Sequence, residues 1–216
     1  MKQLFENWRK YLKEDSDLKS FPFQIYCDMD GVLVDLPAAI LKAAHQDTEN
    51  EDYRKAVMGV IASKITWKTA KKNKELAKGV KFIHKLLSND ADFWVNIPKM
   101  PDATKLWNFI SPHNPYILSA PWDEASAKGK IIWLSGLTGN LDPVPPKSKI
   151  ILTHNKHEYA INEETGSPNV LIDDMEKYIK PWSANGGIAI HHTSANSTIK
   201  QLKNLMEEFQ KRGVLK

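Results

Sequence analysis

The chain has 216 residues, 42% of them hydrophobic and 26% charged, with a formal net charge of +4 at pH 7. That allows one domain with a sizeable core, or a core plus a small insert, of ordinary soluble composition. No apolar run is long enough to span a bilayer, and the mildly basic balance favours anionic ligands without demanding nucleic acid.

A single cysteine, Cys27, rules out an intrachain disulfide and suits a reducing cytoplasm, the expected location. It sits in an apolar run and reads as a packed core thiol. Residues 2–14 place Leu4, Phe5, Trp8, Tyr11 and Leu12 on one helical face, so residues 1–20 are expected to form an N-terminal amphipathic helix without a signal-peptide core. Residues 23–29 read as a strand, ending in Asp28-Met29-Asp30-Gly31.

From Leu36 to Met100 the pattern is helical, with helices expected over Ala38–His45, Tyr53–Ser63 and Thr69–Leu87 and Asp35 capping the first. This block, residues 36–100, is expected to be an inserted helical cap; residues 21–35 and 101–216 form the core. Lys68, Lys71, Lys72, Lys74, Lys78, Lys81 and Lys85 read as the wet face of a cap helix, with a basic rim for a phosphorylated substrate as the sharper alternative. A helix follows from Pro101-Asp102-Ala103 to Ile110, then a strand over Pro115–Leu118 ending in Ser119-Ala120-Pro121, and a helix over Glu124–Ser135. Strands are expected over Lys149–Leu152, Asn169–Ile172 and Ile188–Ile190, and a last amphipathic helix with Ser197 as N-cap and Gly213 beyond its end. Short apolar strands alternating with helices predict an α/β fold, a Rossmann-like parallel sheet.

Reactive side chains fall where four strands end: Asp28 and Asp30, Ser119, Lys156 just past its strand, and Asp173 with Asp174. In an open parallel sheet those ends converge on one site. Carboxylates crowded there call for a hard cation, and oxygen-only ligands suit Mg2+. A lysine and a hydroxyl opposite them would hold phosphate oxygens. One carboxylate can attack phosphorus while the other, two residues on, gives and then takes a proton.

Asp28-Met29-Asp30-Gly31-Val32-Leu33 resembles the first motif of the haloacid dehalogenase superfamily in its phosphatase form. Ile117-Leu118-Ser119 is similar to the second motif, Lys156 to the third and Ile172-Asp173-Asp174 to the fourth, in order over roughly residues 21–195. The resemblance implies a nucleophilic Asp28, a general acid/base Asp30 whose backbone carbonyl also meets the metal, phosphate contacts from Ser119, Ala120 and Lys156, and a Mg2+ site completed by Asp173 and Asp174. Phe93-Trp94-Val95-Asn96-Ile97-Pro98-Lys99-Met100-Pro101-Asp102-Ala103 and Ile150-Ile151-Leu152-Thr153-His154-Asn155-Lys156 also resemble segments of the 5'(3')-deoxyribonucleotidases. His154 stands where that family implies a phosphate-gripping arginine.

The expected activity is hydrolysis of a small phosphomonoester, a (deoxy)nucleoside monophosphate, by an aspartyl-phosphate route. Trp67, Phe93, Trp94 and His154 are the candidate substrate contacts. The alternatives are a polynucleotide end phosphatase, which the basic cap would suit, and a fold that binds without turnover. No membrane partner is expected, nucleic acid is the less favoured partner, and a homodimer is compatible with the chain. His154, His157, His191 and His192 match no metal motif and read as exposed or loop histidines.

Overall fold

The structure, a computed structural model, describes residues 23–47, 51–63 and 72–211. The expected N-terminal helix, Trp67 and Gly213 lie outside the described residues. No helix among the described residues is long and apolar enough to cross a membrane.

Strands β1 (Ile25–Cys27), β2 (Tyr116–Ser119), β3 (Ile150–Leu152), β4 (Val170–Asp173) and β5 (Ile188–His191) form a five-stranded sheet in the order β3-β2-β1-β4-β5. Every neighbouring pair is parallel. The expected α/β class and parallel sheet are what the chain adopts. β1 is central and wholly buried. Ile25 and Cys27 point into the main core, while Tyr26 joins Leu118, Leu171 and Trp182 on the opposite face. A strand covered on both sides must be apolar throughout, which is why Ile25-Tyr26-Cys27 does not alternate with polar residues.

The helices α1 (Leu36–Asp47), α2 (Glu51–Ser63), α3 (Lys74–Leu87) and α4 (Ala91–Val95) lie between β1 and the next core helix, α5 (Ala103–Ile110). Asp35 caps α1 as expected, its Oδ1 accepting from the Ala38 N–H at 2.9 Å. α4 is an element the sequence pattern does not announce. It is one turn long, and Asp90 caps it by accepting from the Phe93 N–H. It packs against α6 (Glu124–Leu134) at Gly129, where an added Cβ would lie 2.4 Å from Trp94 Cβ and 2.6 Å from the Ala91 carbonyl oxygen. Only glycine allows the two helices to come so close.

α6 starts with a capping box in which Asp123 and Ser126 satisfy each other's backbone N–H groups. α7 (Glu176–Ala184) follows β4 and contains Pro181 in its interior. The last helix, α8 (Ala195–Lys211), starts earlier than expected. Ser194, not Ser197, caps it: the Ser194 hydroxyl accepts from the Ser197 N–H at 3.2 Å, and Asp102 of the α5 N-terminus accepts from the Ala195 N–H at 2.6 Å.

Candidate active site

The site begins with the turn after β1. The Leu33 and Val34 N–H groups both donate to the Met29 carbonyl, and the Gly31 N–H donates to Val34 O at 2.9 Å. Met29, Val32, Leu33 and Val34 are fully buried, so Asp28 and Asp30 are the residues left facing the strand ends. The following segment clasps the turn from outside, Asp35 N–H to Pro98 O at 2.8 Å and Met100 N–H to Leu33 O at 2.9 Å. Gly31 has φ +75°, and a Cβ there would lie 2.3 Å from Asp174 Oδ2. Backbone conformation and close approach both demand glycine, and the second ties the first motif to the end of β4.

Asp28 is buried, with its N–H on the Ile172 carbonyl of β4. Its carboxylate lies 2.8 Å from the Lys156 ammonium, which also meets Asp173 at 2.7 Å. Lys156 is almost wholly buried, above the Tyr178 ring at 4.3 Å. Burial alone would lower its pKa, but Asp28 and Asp173 outweigh it and hold the ammonium well above the usual lysine value. Lys149, the other lysine near this segment, lies over the Tyr116 ring at 3.8 Å.

Carboxylate oxygens of Asp28, Asp173 and Asp174 lie within 4.8 Å of one another. One ammonium cannot neutralise three acids. Burial first, and Asp28 next, pushes the Asp173 carboxyl up to about 6 and that of Asp174 up to about 7. The two acids of the pair differ in what they have to spare. Asp173 is saturated, one oxygen on Lys156 and the other accepting from the Met175 N–H at 2.8 Å. Asp174 has a buried Oδ1 with no hydrogen-bond partner. An orphaned oxygen beside two other carboxylates fits a hard divalent cation, with Asp28 and Asp174 as the side chains free to take it and Asp173 holding Lys156.

Asp30 faces a different cation. Its Oδ2 is 2.5 Å from the ammonium of Lys130, on α6, a lysine with no exposed surface. Lys130 also donates to the Ser119 hydroxyl at 2.9 Å and the Ala120 carbonyl at 3.3 Å, and stands 5.1 Å from the Trp94 ring centroid. Burial raises the Asp30 carboxyl, Lys130 opposes that, and Asp28 adds to it; the balance is upward. The sequence pattern does not single out Lys130, yet it joins two of the expected site residues. Ser119 itself is fully buried, with its hydroxyl taken by Lys130.

A cavity of about 520 Å³ opens above these groups, lined by Asp28, Asp30, Ala120 and Lys156 on the sheet side. Leu36, His84, Leu87 and Trp94 from the inserted helices, and Trp122, His154 and Tyr178 from the core, form its walls. Of the expected substrate contacts, Trp94 and His154 reach the cavity; the Trp94 indole N–H is committed to the Leu87 carbonyl at 3.1 Å. Phe93 packs edge-on against Trp94 and belongs with the apolar core. Cys27 is the core thiol expected, fully buried and with its pKa raised by burial first and Asp28 next. His192 is not an exposed histidine: it is buried and hydrogen-bonded through Nδ1 to Thr198 at 2.8 Å. His191 is exposed, and its Nε2 holds the Asp174 carbonyl at 2.9 Å.

No protein-family profile matches the chain, and no curated protein matches it. Solved structures do. A hydrolase from Streptococcus pneumoniae aligns over 85% of this chain and 100% of its own, at 14% identity and a TM-score of 0.48. A dehalogenase with an intermediate complex aligns over 80% of this chain and 85% of its own, at 13% identity and a TM-score of 0.46. The L-2-haloacid dehalogenase from Xanthobacter autotrophicus with chloropropionic acid covalently bound aligns over 77% of this chain and 75% of its own, at 14% identity and a TM-score of 0.43.

Proposed function

We propose that the chain is a Mg2+-dependent phosphomonoester hydrolase of the haloacid dehalogenase type that works through an aspartyl-phosphate, with a nucleoside monophosphate unit as its substrate. The observation that carries this is the meeting, at the ends of β1, β2 and β4 and just beyond β3, of two differently paired aspartates, two buried lysines and a third acid with an unpartnered oxygen.

A carboxylate oxygen of Asp28 attacks phosphorus. The phosphorus–oxygen bond to the leaving group breaks as Asp30 gives its proton to that oxygen. Water then attacks phosphorus, Asp30 takes the water's proton, and the acyl-phosphate bond to Asp28 breaks to free inorganic phosphate. Two carboxylates can hold these different jobs because their surroundings differ. Asp28 is buried against Lys156, whereas the Asp30 side chain is 26% exposed towards the cavity and steered by Lys130. Asp28 and Asp174 would hold Mg2+, which would supply positive charge against the anionic substrate. Lys156 fixes Asp28 and adds positive charge beside the phosphoryl group; Ala120 forms the opposite side of the phosphate pocket, and Lys130 holds the Ser119 hydroxyl behind it. The inserted helices act as a cap, closing over the leaving group and excluding water. Trp94, Trp122 and Tyr178 in the cavity wall suit a flat ring in that leaving group.

The test is a phosphate-release panel of nucleoside 5'- and 3'-monophosphates, sugar phosphates and p-nitrophenyl phosphate, with and without Mg2+. Mg2+-dependent release, fastest with the nucleotides, is expected. Release from no monoester, or equal release after Asp28→Asn, overturns the reading.

A further inference from the structure

We propose that the nucleotide entering this site is the end of a strand, and that a groove along α3 binds the next phosphodiesters of a single-stranded oligonucleotide. The inference rests on the phosphomonoesterase reading and names its substrate class.

Residues 72–85 contain Lys72, Lys74, Lys78, Lys81 and Lys85 against one acid, Glu75. Lys74, Lys78, Lys81 and Lys85 recur at helical spacing, so they share one face of α3, and all four are exposed. Over the eleven helical steps from Lys74 to Lys85 the stripe runs about 16 Å.

Two other surface lysines on helices are paired with an acid one turn away, Lys55 with Glu51 at 3.0 Å and Lys180 with Glu176. Among the described side chains, none forms an ion pair with the α3 lysines. Like charges at this spacing cost about 0.2–0.5 kcal/mol per pair. The helix dipole accounts for Lys85 in the last turn; it opposes Lys74 in the first. Helix stability therefore does not explain the stripe, whereas an anionic ligand does.

The ligand has a place to lie. A second cavity, of about 430 Å³, is lined by Ala77, Val80, Lys81, His84 and Lys85. His84 also lines the reaction cavity, so the two adjoin, and Trp122 packs edge-on against it at 5.0 Å. A phosphate at Asp28 thus has an aromatic wall beside it and then a groove with an apolar floor and two ammonium groups about 6 Å apart along the helix. Phosphate-tracking cations with stacking rings between them are how single strands are held without sequence preference.

The experiment compares thymidine 5'-monophosphate with octathymidylates phosphorylated at the 5' or the 3' end, using the full chain with Mg2+ and its Lys81→Glu/Lys85→Glu variant. In parallel, fluorescence anisotropy measures binding of the labelled octamers without turnover. At least one octamer is expected to show a KM about tenfold below the mononucleotide's. Two phosphate contacts on a single strand predict that this KM rises about sevenfold between about 50 and 200 mM salt, beyond any change for the mononucleotide. The double variant should lose both effects and keep the mononucleotide kcat/KM; both lysines are exposed, and an unchanged Tm verifies the fold. Equal KM and salt dependence for octamers and mononucleotide, or an octamer KM and anisotropy untouched by the variant, overturns the proposal while leaving the phosphatase reading intact. Strand binding lost in the variant, with no phosphate released from any monoester, keeps the groove and overturns the phosphatase.

Discussion

At the strand ends Lys130 and Lys156 are 0% and 1% exposed, and each is held against carboxylates. On α3, Lys74, Lys78, Lys81 and Lys85 stand in solvent, with no acid paired to them among the described side chains. The same side chain does opposite work in the two regions. A buried ammonium costs several kcal/mol to desolvate, so the chain must specify its partner and geometry together. An exposed one specifies almost nothing about the fold and is free to meet a ligand. On the proposed reading the core carries the chemistry and the inserted helices the choice of what reaches it, and substitutions in the two regions should differ in kind.

The largest effect should come from Asp28→Asn, which leaves the shape of the strand end and removes the proposed nucleophile. We expect phosphate release to fall at least about 10³-fold, with no phosphoprotein trapped by acid quench. A loss below about tenfold would place the reaction elsewhere.

Next is Lys130→Met, which strips Asp30 and Ser119 of their shared cation. A drop in kcat of about 10²-fold is expected for alkyl esters such as nucleotides, and far less for p-nitrophenyl phosphate, whose leaving oxygen needs no proton. Lys130→Arg should recover part of it. A loss equal for both esters would mean that Lys130 only supports the fold.

Lys130 also shows where sequence reading stops. Asp28, Asp30, Lys156 and Asp173 could be seen from the sequence because each follows a short apolar strand, and parallel strands bring their ends together. Lys130 lies mid-helix, and its signal is periodic: Ser126, Gly129, Lys130, Trp133 and Leu134 form the buried face of α6. A lysine in that stripe is the clue. It is masked by Ile131 and Ile132, which are 42% and 38% exposed and blur the apolar face. α4 was illegible because one turn carries no period. The lysines were legible as a wet stripe or as a basic rim for a phosphorylated substrate, but the groove beside them was not, since it exists only once α3 lies beside the reaction cavity.

A smaller effect tests the acids themselves. Asp173 and Asp174 are raised from 3.8 to about 6 and about 7, by burial first and Asp28 next. Acids with a folded pKa above the unfolded one bind more protons folded than unfolded. Their contribution is therefore most favourable near pH 4 and is lost as the pH rises to about 7. In metal-free protein, Asp174→Asn should raise stability at pH 8 by on the order of 2 kcal/mol and change it little at pH 4. Adding Mg2+ at pH 8 should raise the Tm of the parent chain and leave that of Asp174→Asn nearly unchanged. Thermal melts at the two pH values, with and without Mg2+, decide it; a variant less stable than the parent at pH 8 without metal would mean that Asp174 is structural.

The smallest effect expected is at the seam between the two regions. Trp122 follows the phosphate-side turn of the core, yet its indole N–H donates to Ser88, at the end of α3, at 3.0 Å, and its ring meets His84. It also lines the reaction cavity. If chemistry belongs to the strand ends and selection to the inserted helices, Trp122→Ala should weaken ground-state and transition-state binding alike. KM for a nucleoside monophosphate should rise about fivefold with kcat held within about twofold, and p-nitrophenyl phosphate, with a smaller leaving group, should respond less. A fall in kcat with KM unchanged would show that the seam also sets the geometry of the reacting groups, and that the two regions are not separable there.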